Sequence, residues 1–148
     1  MIVLADETAT LAFGAAVARV ARMGDVIALS GDLGAGKTTL ARGLLAALGL
    51  AGEAPSPTFA IVQPYAPPET RLAVTHVDLY RIDDPDEVME LGLDDLRADS
   101  LLLVEWPERM GAALWPDALR LTLHRTADGA RSLTATVPPA WGSRWPPT

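Results

Sequence analysis

A chain of 148 residues with 12 Lys and Arg against 19 Asp and Glu has a formal charge of −7. That excludes a protein that grips a nucleic-acid backbone unaided, which needs a basic footprint. The lack of cysteine excludes a disulfide framework, a zinc–thiolate centre and a thiol nucleophile. Polar residues interrupt every apolar run well short of a membrane span, and the start of the chain lacks the basic segment of a signal peptide. The expectation is one soluble, cytoplasmic domain without membrane contact.

Ile2-Val-Leu4 reads as a short edge strand. Asp6 and Thr8 are candidate N-caps for a helix running to Met23, with apolar residues at 9, 11, 12, 13, 15, 16, 17, 20 and 21 and Gly24 as its stop. Asp25-Val-Ile-Ala-Leu-Ser30 is an apolar run, as expected of a buried parallel strand. Directly after it, Gly31, Gly36, Lys37 and Thr38 fit the pattern G-x-x-x-x-G-K-[ST]. The residue types follow from the chemistry. A loop that wraps a polyphosphate with its own N–H groups bends tightly, and Gly31, Gly34 and Gly36 remove side chains that would block the approach. Asp32, Leu33, Gly34, Ala35, Gly36, Lys37, Thr38 and Thr39 are therefore candidate nucleotide contacts. Lys37 would reach the β- and γ-phosphates, and the Thr38 hydroxyl would ligate Mg²⁺. A helix from about Lys37 to Leu48, apolar at 40, 41, 44, 45 and 48, turns its positive end to the same phosphates and stops at Gly49.

Pro55 and Pro57 forbid a helix over 51–58. Phe59 to Gln63 reads as a strand, Pro64 to Thr70 as a turn region, and Arg71 to Tyr80 as a second strand of the same hairpin, beside the nucleotide loop. Pro85 opens a helix that ends near Leu91, with Gly92 as its stop. Ser100-Leu-Leu-Leu-Val-Glu105 is another buried parallel strand, ending on an acid, and Trp106 to Gly111 turns away. Leu119 to His124 and Ser132 to Val137 form an antiparallel hairpin. Residues 138–148 are rich in Pro and Trp and read as an extended tail after a domain of residues 1–137.

A nucleoside triphosphatase needs an acid opposite the phosphate loop. Glu105, closing its apolar strand, and Asp78, in His76-Val-Asp-Leu-Tyr-Arg81, are the candidates. Thr58 sits on a loop stiffened by two prolines and is either a sensor of the γ-phosphate, like a GTPase switch, or a simple turn residue. Trp106 either stacks on a partner or nucleotide or fills core, and Tyr80 and Arg81 are surface or interface candidates. His76 reads as a structural hydrogen-bonder rather than a base. No arginine can be tied from sequence to the γ-phosphate, so slow intrinsic turnover is expected.

Gly31-Asp-Leu-Gly-Ala-Gly-Lys-Thr-Thr39, Ser56-Pro-Thr-Phe59, His76-Val-Asp-Leu-Tyr-Arg81 and Val104-Glu-Trp-Pro107 together resemble the four signatures of the bacterial TsaE (formerly YjeE) ATPases, in order and at similar spacings. The first is generic; the other three together are specific. The resemblance implies a single-domain α/β, P-loop NTPase-like fold of three layers with a mixed parallel and antiparallel sheet. It implies binding and hydrolysis of ATP with Mg²⁺ while docked on TsaB and TsaD. Those partners make N6-threonylcarbamoyladenosine beside the anticodon of tRNAs that read ANN codons, and tRNA would be met only through that complex. It further implies that Thr38 and Glu105 hold Mg²⁺, with Asp78 needed for hydrolysis and Thr58 in a switch-like loop. Glu7 and Thr8 map to the nucleotide pocket, and Gly129-Ala-Arg131 matches a late Gly-Arg contact. A small-molecule P-loop kinase and a non-hydrolysing nucleotide switch are the rival readings.

Overall fold

The computed structural model describes residues 2–32, 34–52 and 62–147. Seven strands form one sheet: β1 (Ile2–Leu4), β2 (Val26–Ser30), β3 (Val62–Tyr65), β4 (Val74–Asp78), β5 (Leu101–Glu105), β6 (Leu119–Arg125) and β7 (Arg131–Thr136), in the order β1-β7-β6-β2-β5-β4-β3. β2 lies at the centre, parallel to both β5 and β6, and β4 runs parallel to β5. The β3–β4, β6–β7 and β1–β7 pairs are antiparallel. The sheet is thus mixed, as expected from its buried apolar runs and its alternating hairpin.

Both faces of the central strands are covered, which is why their sequences read as continuous apolar runs. Helices α1 (Glu7–Val20) and α2 (Lys37–Ala47) pack one face, where Val17, Leu40, Leu44 and Leu45 meet Ile27, Leu29, Leu103 and Leu121. On the other face Val26, Val77, Leu102 and Val104 meet Val88, Leu93 and Met110, which come from α3 (Pro85–Met89), α4 (Leu93–Asp99) and 3₁₀ turns over Pro107–Ala113. The result is a three-layer α/β domain. The two site helices touch backbone to backbone. A Cβ at Gly14 would lie 2.3 Å from the Leu40 carbonyl oxygen, and one at Gly43 would lie 2.3 Å from that of Leu11.

Several expectations need correction. α1 is capped by Asp6, whose carboxylate accepts the Ala9 N–H at 2.9 Å, and it ends at Val20 rather than Met23. β3 includes Pro64, opposite Thr75; among the described residues it is the outermost strand, the position in a sheet where proline is tolerated. The strand expected over 71–80 is confined to Val74–Asp78. Gly92 does not merely stop α3: at φ 68° it is the N-cap of α4, a helix the sequence reading missed. Residues 138–147 do not run as an extended tail. Pro139–Arg144 forms 3₁₀ turns and seats Trp141, 1% exposed, in the core. Arg144 donates to Asp25 at 2.6 and 3.1 Å and to the Val20 carbonyl at 2.9 Å. The expected strand residues 59–61 lie outside the described residues.

Candidate functional site

The site assembles at the carboxyl ends of β2, β4 and β5, the usual ligand position in an open parallel sheet. The loop from Ser30 to α2 needs glycine where the chain turns left-handed. Gly31 has φ 140°, and a Cβ there would lie 2.5 Å from the Leu123 carbonyl oxygen of β6. Gly36, at φ 107°, is the N-cap of α2 and supplies no capping side chain. The first N–H groups of α2 are therefore free to meet an anion, with the positive end of the helix dipole behind them.

Lys37, the first residue of α2, is only 5% exposed. Its ammonium donates to the Gly31 carbonyl and lies 3.5 Å from the Trp106 ring centroid. Burial pulls its pKa down, against the opposing pull of Glu105, Glu108, Asp78 and Asp32. Trp106 holds the left-handed backbone conformation, φ 61° and ψ 50°, which is costly for a bulky residue. Its ring centroid is 5.0 Å from that of Tyr80. Strain of this kind persists where the surroundings demand it, and here it sets the indole over the lysine.

The parallel register brings the two acids together: Asp78 at the end of β4 is paired with Glu105 at the end of β5. Asp78 Oδ1 accepts the Tyr80 N–H at 2.9 Å. Desolvation pushes its pKa up, and the Glu105 charge adds to this; the Tyr80 N–H, His76 and Lys37 oppose it. Glu105 is 2% exposed, and its Oε2 lies 2.7 Å from His76 Nε2.

Two adjoining clefts open here. One, of about 280 Å³, is lined by Gly34, Gly36, Lys37, Thr38, Thr39, Asp78, Tyr80, Glu105, Trp106 and Arg131. The other, of about 350 Å³, shares Gly36, Thr39 and Arg131 with it and extends to Asp6, Glu7, Thr10 and Asp128. One cleft thus holds the loop lysine, the hydroxyl and both acids, and its neighbour runs out to the start of α1. Among the described residues no three His, Cys, Asp or Glu side chains form a metal cage. The cleft does place the Thr38 hydroxyl with the Asp78 and Glu105 carboxylates, a donor set of the kind Mg²⁺ takes together with substrate phosphates. Gly36 fits a phosphate cradle as well, because its φ of 107° is one that residues bearing a Cβ rarely adopt.

A family model described as "Threonylcarbamoyl adenosine biosynthesis protein TsaE" matches residues 4–133. This chain belongs to the TsaE family. It is 42% identical over 137 residues to a Streptomyces coelicolor protein named tRNA threonylcarbamoyladenosine biosynthesis protein TsaE, covering 89% of this chain and 90% of that one. A Bacillus subtilis protein of the same name is 37% identical over 129 residues, covering 86% and 79%. The crystal structure of Bacillus subtilis YdiB superposes with a TM-score of 0.81 at 30% identity, covering 96% of this chain and 88% of that one. The fold implied by the TsaE resemblance is the fold observed.

Within this TsaE-family fold, the expected residues are sorted by geometry. Gly34, Gly36, Lys37, Thr38, Thr39, Asp78, Tyr80, Glu105, Trp106 and Arg131 share one cleft, and Glu7 lines its neighbour. Ala35 is buried beneath the loop. Asp32, Thr8 and Arg81 line neither cleft; from α1 it is Thr10, not Thr8, that faces the neighbouring one. Thr58 and Leu33 lie outside the described residues. Arg131, which the resemblance matches to a late Gly-Arg contact, lines both clefts and donates to the Gly34 carbonyl at 3.1 Å. It also donates to the Gly129 carbonyl at 2.9 Å. Arg125 is a second cation there, with its Nη1 3.5 Å from where a Gly34 Cβ would stand. The β6–β7 hairpin turn delivers both, and strand alternation alone gives no sign of it.

Proposed function

We propose that this chain binds ATP with Mg²⁺ and hydrolyses it, acting with TsaB and TsaD to form N6-threonylcarbamoyladenosine on tRNA. The observation that carries this reading is the convergence, in one cleft, of an uncapped helix N-terminus, Lys37, Thr38 and the paired acids Asp78 and Glu105. In the bound state the Lys37 ammonium leaves the Gly31 carbonyl and the Trp106 ring for the β- and γ-phosphates. Thr38, Glu105 and Asp78 are the residues that would hold Mg²⁺, which neutralises charge on the phosphates. Hydrolysis transfers the γ-phosphoryl group to water and releases ADP. Asp78, with its raised pKa and its place on the cleft wall, suits orientation of that water.

Partner dependence has its own support. Arg131 Nη1 donates to the Gly129 and Ala130 carbonyls and Nη2 to the Gly34 carbonyl, so this cation braces the loop while the clefts stay open. The net charge of −7 fits contact with tRNA through the complex rather than directly. Calorimetry with ATP and Mg²⁺ tests the binding step. Lys37→Ala should remove most of the affinity, and unchanged affinity would place the nucleotide elsewhere.

A further inference from the structure

We propose that His76 is a positioning residue: its Nε2–H holds the Glu105 carboxylate in the orientation that serves Mg²⁺. This rests on the ATP–Mg²⁺ reading above and goes beyond it, because His76 is neither a loop residue nor a lining residue of the clefts.

The register makes the contact. In the parallel β4–β5 ladder His76 is opposite Leu103 and Asp78 opposite Glu105. Side chains two apart share a face, so the imidazole sits one diagonal step behind the Glu105 carboxylate, on the α2 side. Nε2 lies 2.7 Å from Oε2, and both residues are 2% exposed. The contact is short and water-poor, and among the described residues His76 is the side chain that hydrogen-bonds this carboxylate.

The other ring nitrogen shows what the residue is for. Nδ1 is buried with no hydrogen-bond partner among the described residues. A buried polar atom without a partner costs stability, and an aliphatic side chain at position 76 would avoid that cost. The ring's one hydrogen bond goes to Glu105. A glutamate has three rotatable torsions, and without a donor behind it this carboxylate would be free to turn toward Lys37. Carboxylates that ligate metals are regularly fixed by such outer hydrogen bonds, whose loss costs about 10- to 100-fold in metal affinity.

Glutamine at 76 puts an amide N–H near the Nε2 position, whereas asparagine puts one near Nδ1, so the pair separates placement of the donor from polarity. The experiment is calorimetry of a non-hydrolysable ATP analogue in excess Mg²⁺ and in EDTA, on wild type, His76→Gln, His76→Asn and His76→Leu. The ratio of the two dissociation constants is the Mg²⁺-linked gain, and a thermal melt checks each fold. Wild type and His76→Gln should keep the gain; His76→Asn and His76→Leu should lose about tenfold or more of it, with EDTA affinity little changed. If His76→Leu does not fold, the Gln–Asn comparison decides. Equal gains in His76→Asn and wild type would overturn the proposal, and so would equal losses in His76→Gln and His76→Asn. A wild-type protein that binds no analogue, or shows no Mg²⁺-linked gain, would instead overturn the ATP–Mg²⁺ reading beneath it.

Discussion

Gly43→Ala should loosen both the fold and the nucleotide site, although helix propensity alone favours alanine by about 1 kcal/mol. The new Cβ would lie 2.3 Å from the carbonyl oxygen of Leu11, 2.8 Å from its Cα and 2.9 Å from its carbonyl carbon. These are backbone atoms of α1, and no side-chain rotation clears them. To reach ordinary contact the two helices must part by roughly 1 Å, and overpacking of this kind costs about 1–3 kcal/mol. Rigid neighbours put the cost near the upper end, leaving a net loss of about 2 kcal/mol after the propensity gain. For a chain of this size that is a melting temperature lower by about 4–8 °C. The same separation moves Glu7 and Thr10 on α1 away from Lys37 and Thr39 on α2, which line the adjoining clefts. ATP affinity should therefore fall with stability. Thermal melts with and without ATP–Mg²⁺ read both effects. A melting temperature equal to or above wild type would refute the backbone-contact reasoning.

Asp78→Asn should stabilise the metal-free protein at neutral pH while impairing phosphate release. Desolvation raises the Asp78 pKa in the folded state, so ionisation there costs folding stability, and the cost is complete above the folded pKa. The gain from asparagine should shrink as pH falls toward the unfolded value of about 3.9, where both states keep the proton. Melts in EDTA across that range test it, and a variant less stable than wild type at neutral pH would contradict it. Trp141→Ala should cost about 3–5 kcal/mol, as for other fully buried large aromatics, measured by urea unfolding; a loss below about 1 kcal/mol would mean that residues 138–148 do behave as a tail.

The β2–loop–α2 unit was legible because three signals coincide there: an apolar run, glycines at fixed offsets and helical apolar spacing. Glu105 was legible for a related reason, as a lone acid closing four apolar residues. α4 was not, because Gly92 carries the same sequence signal whether it ends one helix or starts the next. The packed C-terminal segment was hidden by its prolines, which mark where no helix can run but not where a tryptophan is buried. Gly14 and Gly43 gave no sign of their partners, since close helix approach depends on a crossing point absent from either helix alone. Arg131 entered only through the family resemblance; its bond to the Gly34 carbonyl, like the His76–Glu105 contact, needs the strand order, and the strand order was not in the local pattern.

The central claim, a partner-stimulated ATPase, is tested most directly by steady-state phosphate release from ATP and Mg²⁺. The chain is assayed alone and then titrated with purified TsaB–TsaD, with Lys37→Ala as the control. The expected result is slow release from the chain alone, rising as the complex is added, with the Lys37→Ala reaction flat throughout. A transition-state cation supplied in trans is worth about 10³–10⁵ in rate, so the rise has room to be large. Fast release from the chain alone that is indifferent to TsaB–TsaD would contradict the claim and favour a self-sufficient ATPase or a kinase.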